Sequence, residues 1–378
     1  RFSTFSHDLR LLAAWLSDNN CRDVCMESTG KYWIPVFNIL ESTCNIVLAH
    51  PKYVKAIRGK KTDKRDAKWI ADIFKHDLVS GSFIPPYDIR QLRDLMRYRY
   101  KLTNFTVGEK NRAQNCLTVS NVKLDDVFSD VFGKSSSAIL DRLSLCPNGD
   151  FDVAPLVSGK CKSPVEKIQA AVDGSICPEQ LQKLAIIRSH INAIYECKSN
   201  LDSLICSIAD KFRAQVNLVS SVPGIQFFSA VSVISEIGVD MSVFPTAKHL
   251  CSWAGLVPQN NESAGKKKTT RISRAGAYLK PLLVQCALTV CKSSKHPEIR
   301  NRYLMLKKRR GHKKAIIAIC RMLLTAIYAI LKTATPYNPN LYRSQNSTPK
   351  SRTFTPISAI AFLKSHGYVV VDCDGVMT

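Results

Sequence analysis

Acidic residues are scarce in this chain. Its 378 residues include 30 Asp and Glu against 54 Lys and Arg, a formal net charge of +24. Such an imbalance excludes polycationic partners and points to a polyanion, nucleic acid before membrane. Cysteine is not scarce, at 14 residues, but C-x-x-C pairs are absent and no Cys/His group has zinc spacing. The thiols therefore read as reduced small hydrophobes of a cytosolic protein. No apolar run is read as reaching the roughly 18–20 residues that cross a bilayer. The opening RFSTFSHDLR has no secretory h-region. A phosphate-binding P-loop is missing, which removes ATP-driven chemistry of that kind. There is also no initiator Met, so the expected reading frame starts upstream or the copy is decayed.

The expected fold class is α/β plus α. Residues 7–80 alternate helix and strand: a helix on Leu9, Leu12 and Leu16, a strand at 22–27, a helix from Tyr32 to Leu40, a strand at 45–50, and a helix at 61–76. That order predicts a parallel strand pair in an α/β layer. GSFIPPYD (81–88) breaks the pattern. A charged helix over 89–118 and helical spacing over 181–213 predict an antiparallel arm, with an irregular insert at 119–180. Helices are expected at about 273–292, 297–310 and 313–333, a polar linker at 338–355, and a helix and strand in the tail. The segments are 1–85, 86–215, 216–335 and 336–378. SVPGIQFF places a tight Pro-Gly turn at Gly224 between helical stretches. It reads either as a helix-hairpin-helix whose amides bind a backbone phosphate or as an ordinary αα-turn.

Two groups of residues carry chemistry. Asp63 and Asp66 lie three apart near a helix start, and Glu27 ends a strand; together they could hold Mg²⁺, which prefers oxygen ligands. The competing reading makes Asp63 an N-cap, Asp66 a complement to the helix dipole and Glu27 a solvated strand end. In WAGLVPQNNESAGKKKTTRISRAGAYLK, residues 253–280, Ser263 sits in a loop followed by Lys266, Lys267, Lys268, Arg271 and Arg274. A hydroxyl among cations can attack a phosphodiester if the cations bind the phosphate and neutralise the transition state. The competing reading is a turn serine and a solvated lysine run. The run from Lys307 through Lys308, Arg309 and Arg310 to Lys313 and Lys314 is a second phosphate-binding candidate.

Five motifs occur in one order: MESTGKYW, HPKYVKAIRGKKTDKRDA, LVSSVPGI, the 253–280 segment, and HPEIRNRYLMLKKRRGHKKAIIAICRMLL. Over residues 7–335 this order resembles the insertion-sequence-110 transposases of the DEDD type. The resemblance implies a partial RuvC-like (RNase H fold) domain, a helical arm, and a mostly helical transposase domain with a helix-hairpin-helix-like turn. It implies Glu27, Asp63 and Asp66 as three of four Mg²⁺-binding acids and Ser263 as a nucleophile that links covalently to DNA. A structured guide RNA as well as DNA, and assembly into homodimers or homotetramers, are implied too, with a cytoplasmic, nucleoid-associated location and no membrane. The chain departs from the family pattern where the first Asp belongs, on an opening strand like GIDVSK; Asp8 does not match it. It also reads PGIQ where PGIG is common. A DNA transposase or recombinase is thus expected, with a metal-dependent junction nuclease and an inactive nucleic-acid-binding remnant as alternatives.

Overall fold

A computed structural model of the chain describes residues 1–54, 62–159, 161–258, 261–263, 266–269, 271–340 and 356–371. The chain divides into two compact units. One takes Arg1–Asn217, Gln226–His249 and Gly276–Leu279; the other takes Leu218–Ile225, Leu250–Ala275 and Lys280–Thr378.

The first unit opens as the sequence predicts. Helix α1 (Ser6–Asp18), strand β1 (Asp23–Glu27), helix α2 (Trp33–Leu40) and strand β2 (Asn45–Ala49) form a β-α-β segment after a leading helix. The strands are parallel, in register from Asp23 opposite Asn45 to Glu27 opposite Ala49. Parallel strands need a crossover rather than a tight turn, and α2 is that crossover. After α3 (Pro51–Val54), α4 (Asp63–Lys75) lays Trp69, Ile70 and Ile73 on Cys25 of β1 and Ala49 of β2. The result is mostly helical with one small parallel sheet.

Helix α5 (Tyr87–Val119) runs for 33 residues, about 50 Å at 1.5 Å per residue. It pairs antiparallel with α9 (Pro178–Ala209). The pairing is fixed by charge as well as by apolar packing. Arg99 donates to both carboxylate oxygens of Asp202 at 2.5 and 3.0 Å. Further along the pair, Glu109 meets His190 at 3.0 Å, and Leu117 shares a core with Leu184. The stretch between the two helices is not irregular. It folds as α6 (Leu124–Val127), α7 (Lys134–Leu145) and α8 (Val165–Val172) around Leu124, Ile139, Leu140, Leu143, Ile168 and Val172, all fully buried. Helices of 4 to 12 residues separated by Pro and Gly turns are too short to show a clear period.

Further on, α10 (Arg213–Ser220) precedes the Pro-Gly turn and α11 (Phe227–Ile237) follows it. Within the first unit α11 is bolted to α5. Arg97 makes a bidentate pair with the buried Glu236 at 2.7 and 2.8 Å, and Arg93 donates to the Ser235 and Glu236 carbonyls at 2.8 Å each. Those carbonyls end α11, so Arg93 satisfies groups that the helix itself leaves open. Burial pulls the Arg93 guanidinium down to about 10, against the charge of Glu236. Burial acts on Arg97 as well, but there the hydrogen bonds and charge of Glu236 prevail and hold it above its ordinary value.

The second unit is built on α15 (His312–Thr333), with Ala315, Ile319, Cys320, Leu323, Leu324 and Ile327 buried. This corrects the expectation that no apolar stretch reaches spanning length: α15 has 22 residues and is apolar enough to cross a membrane by length and composition. Half of that stretch is buried inside the protein, as in the core helix of a globular unit. Helices α12 (Ala247–Trp253), α13 (Leu279–Lys292) and α14 (Pro297–Arg310) complete the set. Helix α13 starts six residues later than the period suggests, after Gly276 at φ +67°. In the tail α16 (Pro356–Ser365) forms, but residues 366–371 make no regular strand. The polar linker expected at 338–355 lies mostly outside the described residues.

The described cysteines are free thiols. Burial, with Cys286 and Cys291 nearby, pushes the Cys320 thiol up to about 12, so it stays protonated and behaves as a small hydrophobe.

Gly224 has a definite packing role. At φ +81° it lies against α13, where an added Cβ would come 2.8 Å from the Cys286 carbonyl oxygen and 3.2 Å from Val290 Cβ. Val222, Pro223 and Ile225 around it are buried, the geometry of a packed αα-turn. Gly224→Ala should therefore destabilise the chain by about 2–4 kcal/mol, from backbone strain plus overpacking. A lowered urea midpoint checks this; an unchanged midpoint would mean that the turn does not pack against α13.

Candidate functional site

The acids of the first unit stand where the sequence puts them. Glu27 closes β1, half-buried, and its Oε1 accepts a hydrogen bond from the Thr29 hydroxyl at 2.7 Å. Asp63 and Asp66 occupy the first turn of α4, Asp63 exposed and Asp66 half-buried. The cap of α4 is not Asp63 but Thr62, whose side chain accepts from the Arg65 amide at 3.4 Å. Capping therefore does not account for Asp63, while the dipole term still applies in the first turn of α4. In donor chemistry three carboxylates suit a hard cation. In geometry they do not: among the described residues no three Asp, Glu, His or Cys side chains gather closely enough to hold a metal. The magnesium site expected at Glu27, Asp63 and Asp66 is not formed in this arrangement.

In the second unit Ser263 is not in a loop. It ends β3 (Asn261–Ser263), which pairs antiparallel with β4 (Lys266–Thr269). The register sets Ser263 opposite Lys266 and Glu262 opposite Lys267; a bulge between Asn261 and Glu262 then brings Asn261 opposite Thr269. A bridge between Pro258 and Ile272 extends the pairing beyond the bulge. The lysine-rich sequence hid the strands because it lacks the alternation of apolar and polar residues that marks them. The surviving signal was two runs separated by two residues that include a Gly.

Beyond the hairpin, Arg271 and Arg274 are exposed. Lys280 was not singled out from sequence, yet it anchors this return segment by donating to the Ser273 carbonyl at 2.6 Å. Gly255, at φ +68°, admits the same segment closely: an added Cβ would come 2.7 Å from the Ala275 carbonyl oxygen.

The second basic cluster forms the tip of a helical hairpin. Lys307, Lys308, Arg309 and Arg310 make the last turn of α14, Gly311 turns the chain at φ +81°, and His312, Lys313 and Lys314 start α15. Every residue from 307 to 314 is exposed. Tyr303 and His312 brace the turn through a contact of 2.8 Å between the hydroxyl and Nδ1. The four cations of α14 complement a helix C-terminus, so a structural role suffices for them. Lys313 and Lys314 are at the wrong end of a dipole for cations, and a bound anion would offset that.

Comparison with known proteins agrees with the motif order. Residues 216–304 match a family described as "Transposase IS116/IS110/IS902 family", and residues 1–121 match a second family described as "Transposase". Together these stretches take in more than half of the chain. Similar proteins include the transposase for insertion sequence element IS1111A of Coxiella burnetii, 27% identical over 157 residues, which are 39% of this chain and 43% of the relative. The pilin gene-inverting protein of Moraxella lacunata is 31% identical over 160 residues, covering 41% and 48%. The insertion element IS110 uncharacterized 43.6 kDa protein of Streptomyces coelicolor is 25% identical over 157 residues, covering 41% and 38%. The chain belongs to the IS110 family of transposases. It spans less than half the length of each of these curated relatives.

Proposed function

We propose that this chain acts in DNA strand cleavage and exchange, as a transposase or site-specific recombinase, with Ser263 as the nucleophile. The observation that carries this reading is the β3–β4 hairpin: the serine stands in register with a lysine strand in a family of transposases. Attack by a hydroxyl keeps the energy of the phosphodiester in a protein–DNA bond. Rejoining then needs no ATP, in keeping with a chain that has no P-loop. Lys266, Lys267, Lys268, Arg271 and Arg274 would hold the phosphates, and the tip from Lys308 to Lys314 would hold flanking backbone.

The RuvC-like fold remains part of the proposal for residues 1–85, supported by the β-α-β order and the acid at the end of β1. Glu27, Asp63 and Asp66 are its acidic residues. Because they do not gather as metal ligands, no step is assigned to magnesium. A structured RNA guide and a dimer or tetramer follow from the family resemblance.

The test is a denaturing gel with end-labelled DNA from the borders of the element that encodes the chain, supplied with RNA transcribed from its flanks. Label retained on the protein is expected. Labelled free ends with no protein-linked label would overturn the reading in favour of a junction nuclease that uses water.

A further inference from the structure

We propose that the outer face of α14 reads duplex DNA from the major groove, with Asn301 on adenine and Leu304 and Met305 on thymine methyl groups, so that the protein itself favours A·T pairs where it binds. This rests on the chain binding DNA, not on the identity of the nucleophile. The inner side of α14 is marked by Ile299, which is buried, and by Tyr303 and Leu306, which are half-buried. They recur three and four residues apart, as one helical face does. Asn301, Leu304, Met305 and Lys308 recur at the same spacing on the other side, and all are exposed. A helix face in water is ordinarily polar. Here Leu304 is 47% exposed and its neighbour Met305 74%, with the exposed Arg300 and Arg309 at the edges. Glu298, the one acid of the helix, is half-buried and lies 3.6 Å from His296. The outer face is therefore apolar at its centre, cationic around it and free of carboxylates.

The surrounding charge selects the occupant. A second copy of the chain seated symmetrically on this face would set the same cations against each other. Duplex DNA meets them with phosphates, and its major groove, about 12 Å wide, admits a helix. The 14 residues of α14 span about 21 Å, or roughly six base pairs. In that groove an A·T pair offers adenine N6 and N7 to a side-chain amide, and the thymine methyl to an apolar side chain. Asn301 lies one turn from both Leu304 and Met305, so the face carries both kinds of contact side by side. Duplex RNA has a major groove too narrow to enter and carries uracil, which has no methyl.

The experiment is an anisotropy titration of the full chain near 0.1 M salt with three labelled 20-base-pair duplexes: alternating A and T, the same with deoxyuridine in place of thymidine, and alternating G and C. The thymine duplex should bind about four- to tenfold more tightly than the uracil duplex, the scale of burying one or two methyl groups. It should exceed the G·C duplex by at least about tenfold, since the amide contact is added. Leu304→Ala combined with Met305→Ala should erase the difference between thymine and uracil and leave the salt dependence as it was, because no phosphate contact is lost. Asn301→Ala should remove most of the preference over G·C and keep the methyl effect. Met305→Leu should also keep the methyl effect, which a fold defect would not allow. These positions are exposed, and alanine suits a helix, so the variants fold. Equal binding of the thymine and uracil duplexes would overturn the inference and leave DNA binding standing. Binding of none of the three would overturn the DNA reading along with it. A thymine preference that survives the double alanine variant would overturn the assignment to α14.

Discussion

Ser263→Ala protein should bind DNA as the parent does and yield no covalent adduct. The expected loss is at least about 10⁴-fold in rate, the scale on which removal of a nucleophile acts when binding is left intact. Stability should hardly move. The substitution removes one hydroxyl at the end of a three-residue strand and leaves the backbone donors and acceptors of the strand pairing in place. That separation of chemistry from folding makes the result decisive. Ser263→Cys is the companion variant: sulfur can attack phosphorus in the same geometry, so a weak adduct there with none in the alanine protein would identify the position, not the hairpin, as the source of reactivity. Cleavage that persists in Ser263→Ala and leaves free ends would assign the chemistry to water and to the acids of the first unit.

Sequence reading went furthest where a single physical rule governed a segment. The 3.6 period over α5 and α9 gave both long helices within a few residues, because each must bury one stripe against the other. Alternating short apolar runs gave β1, α2, β2 and α4 in order. It failed where rules competed. The Ser263 hairpin reads as a polar loop because strand propensity and patterning are both weak in NES and KKKT, and the cross-strand partner decides. The core of the insert was hidden among turns. The acid set was legible as residue types but not as a site: spacing placed Asp63 and Asp66 on one helical turn, while capping fell to the preceding Thr62, a contest that neighbouring side chains settle. The clamps Arg93 and Arg97 on α11 had no local signal at all, since their partners lie about 140 residues away.

Replacing Lys308, Arg309, Lys313 and Lys314 with Gln should weaken binding to a 20-base-pair duplex about 10³-fold near 0.1 M salt, and should flatten the salt dependence by about 3–4 log units of affinity per log unit of salt. Both figures follow from the release of roughly 0.9 counterion for each phosphate that a cation neutralises. The control is built into the chain. Residues 120–176 hold six Lys and Arg against eight Asp and Glu, so the surface between α5 and α9 is slightly acidic in an otherwise strongly basic protein. Neutralising the exposed Lys123, Lys134, Lys162 and Lys167 there should leave the salt slope unchanged. If the two quadruple variants lose slope equally, net charge alone drives binding and the hairpin tip is no interface. If only the tip variant does, the phosphates sit at the α14–α15 turn. Within that turn Lys313 and Lys314 should matter more than Lys308 and Arg309, because the start of α15 adds its own backbone amides and dipole to their charge, whereas the end of α14 subtracts from its own. Anisotropy titrations of the two double variants measure that difference, and an equal loss from both would leave the helix termini no part in the recognition.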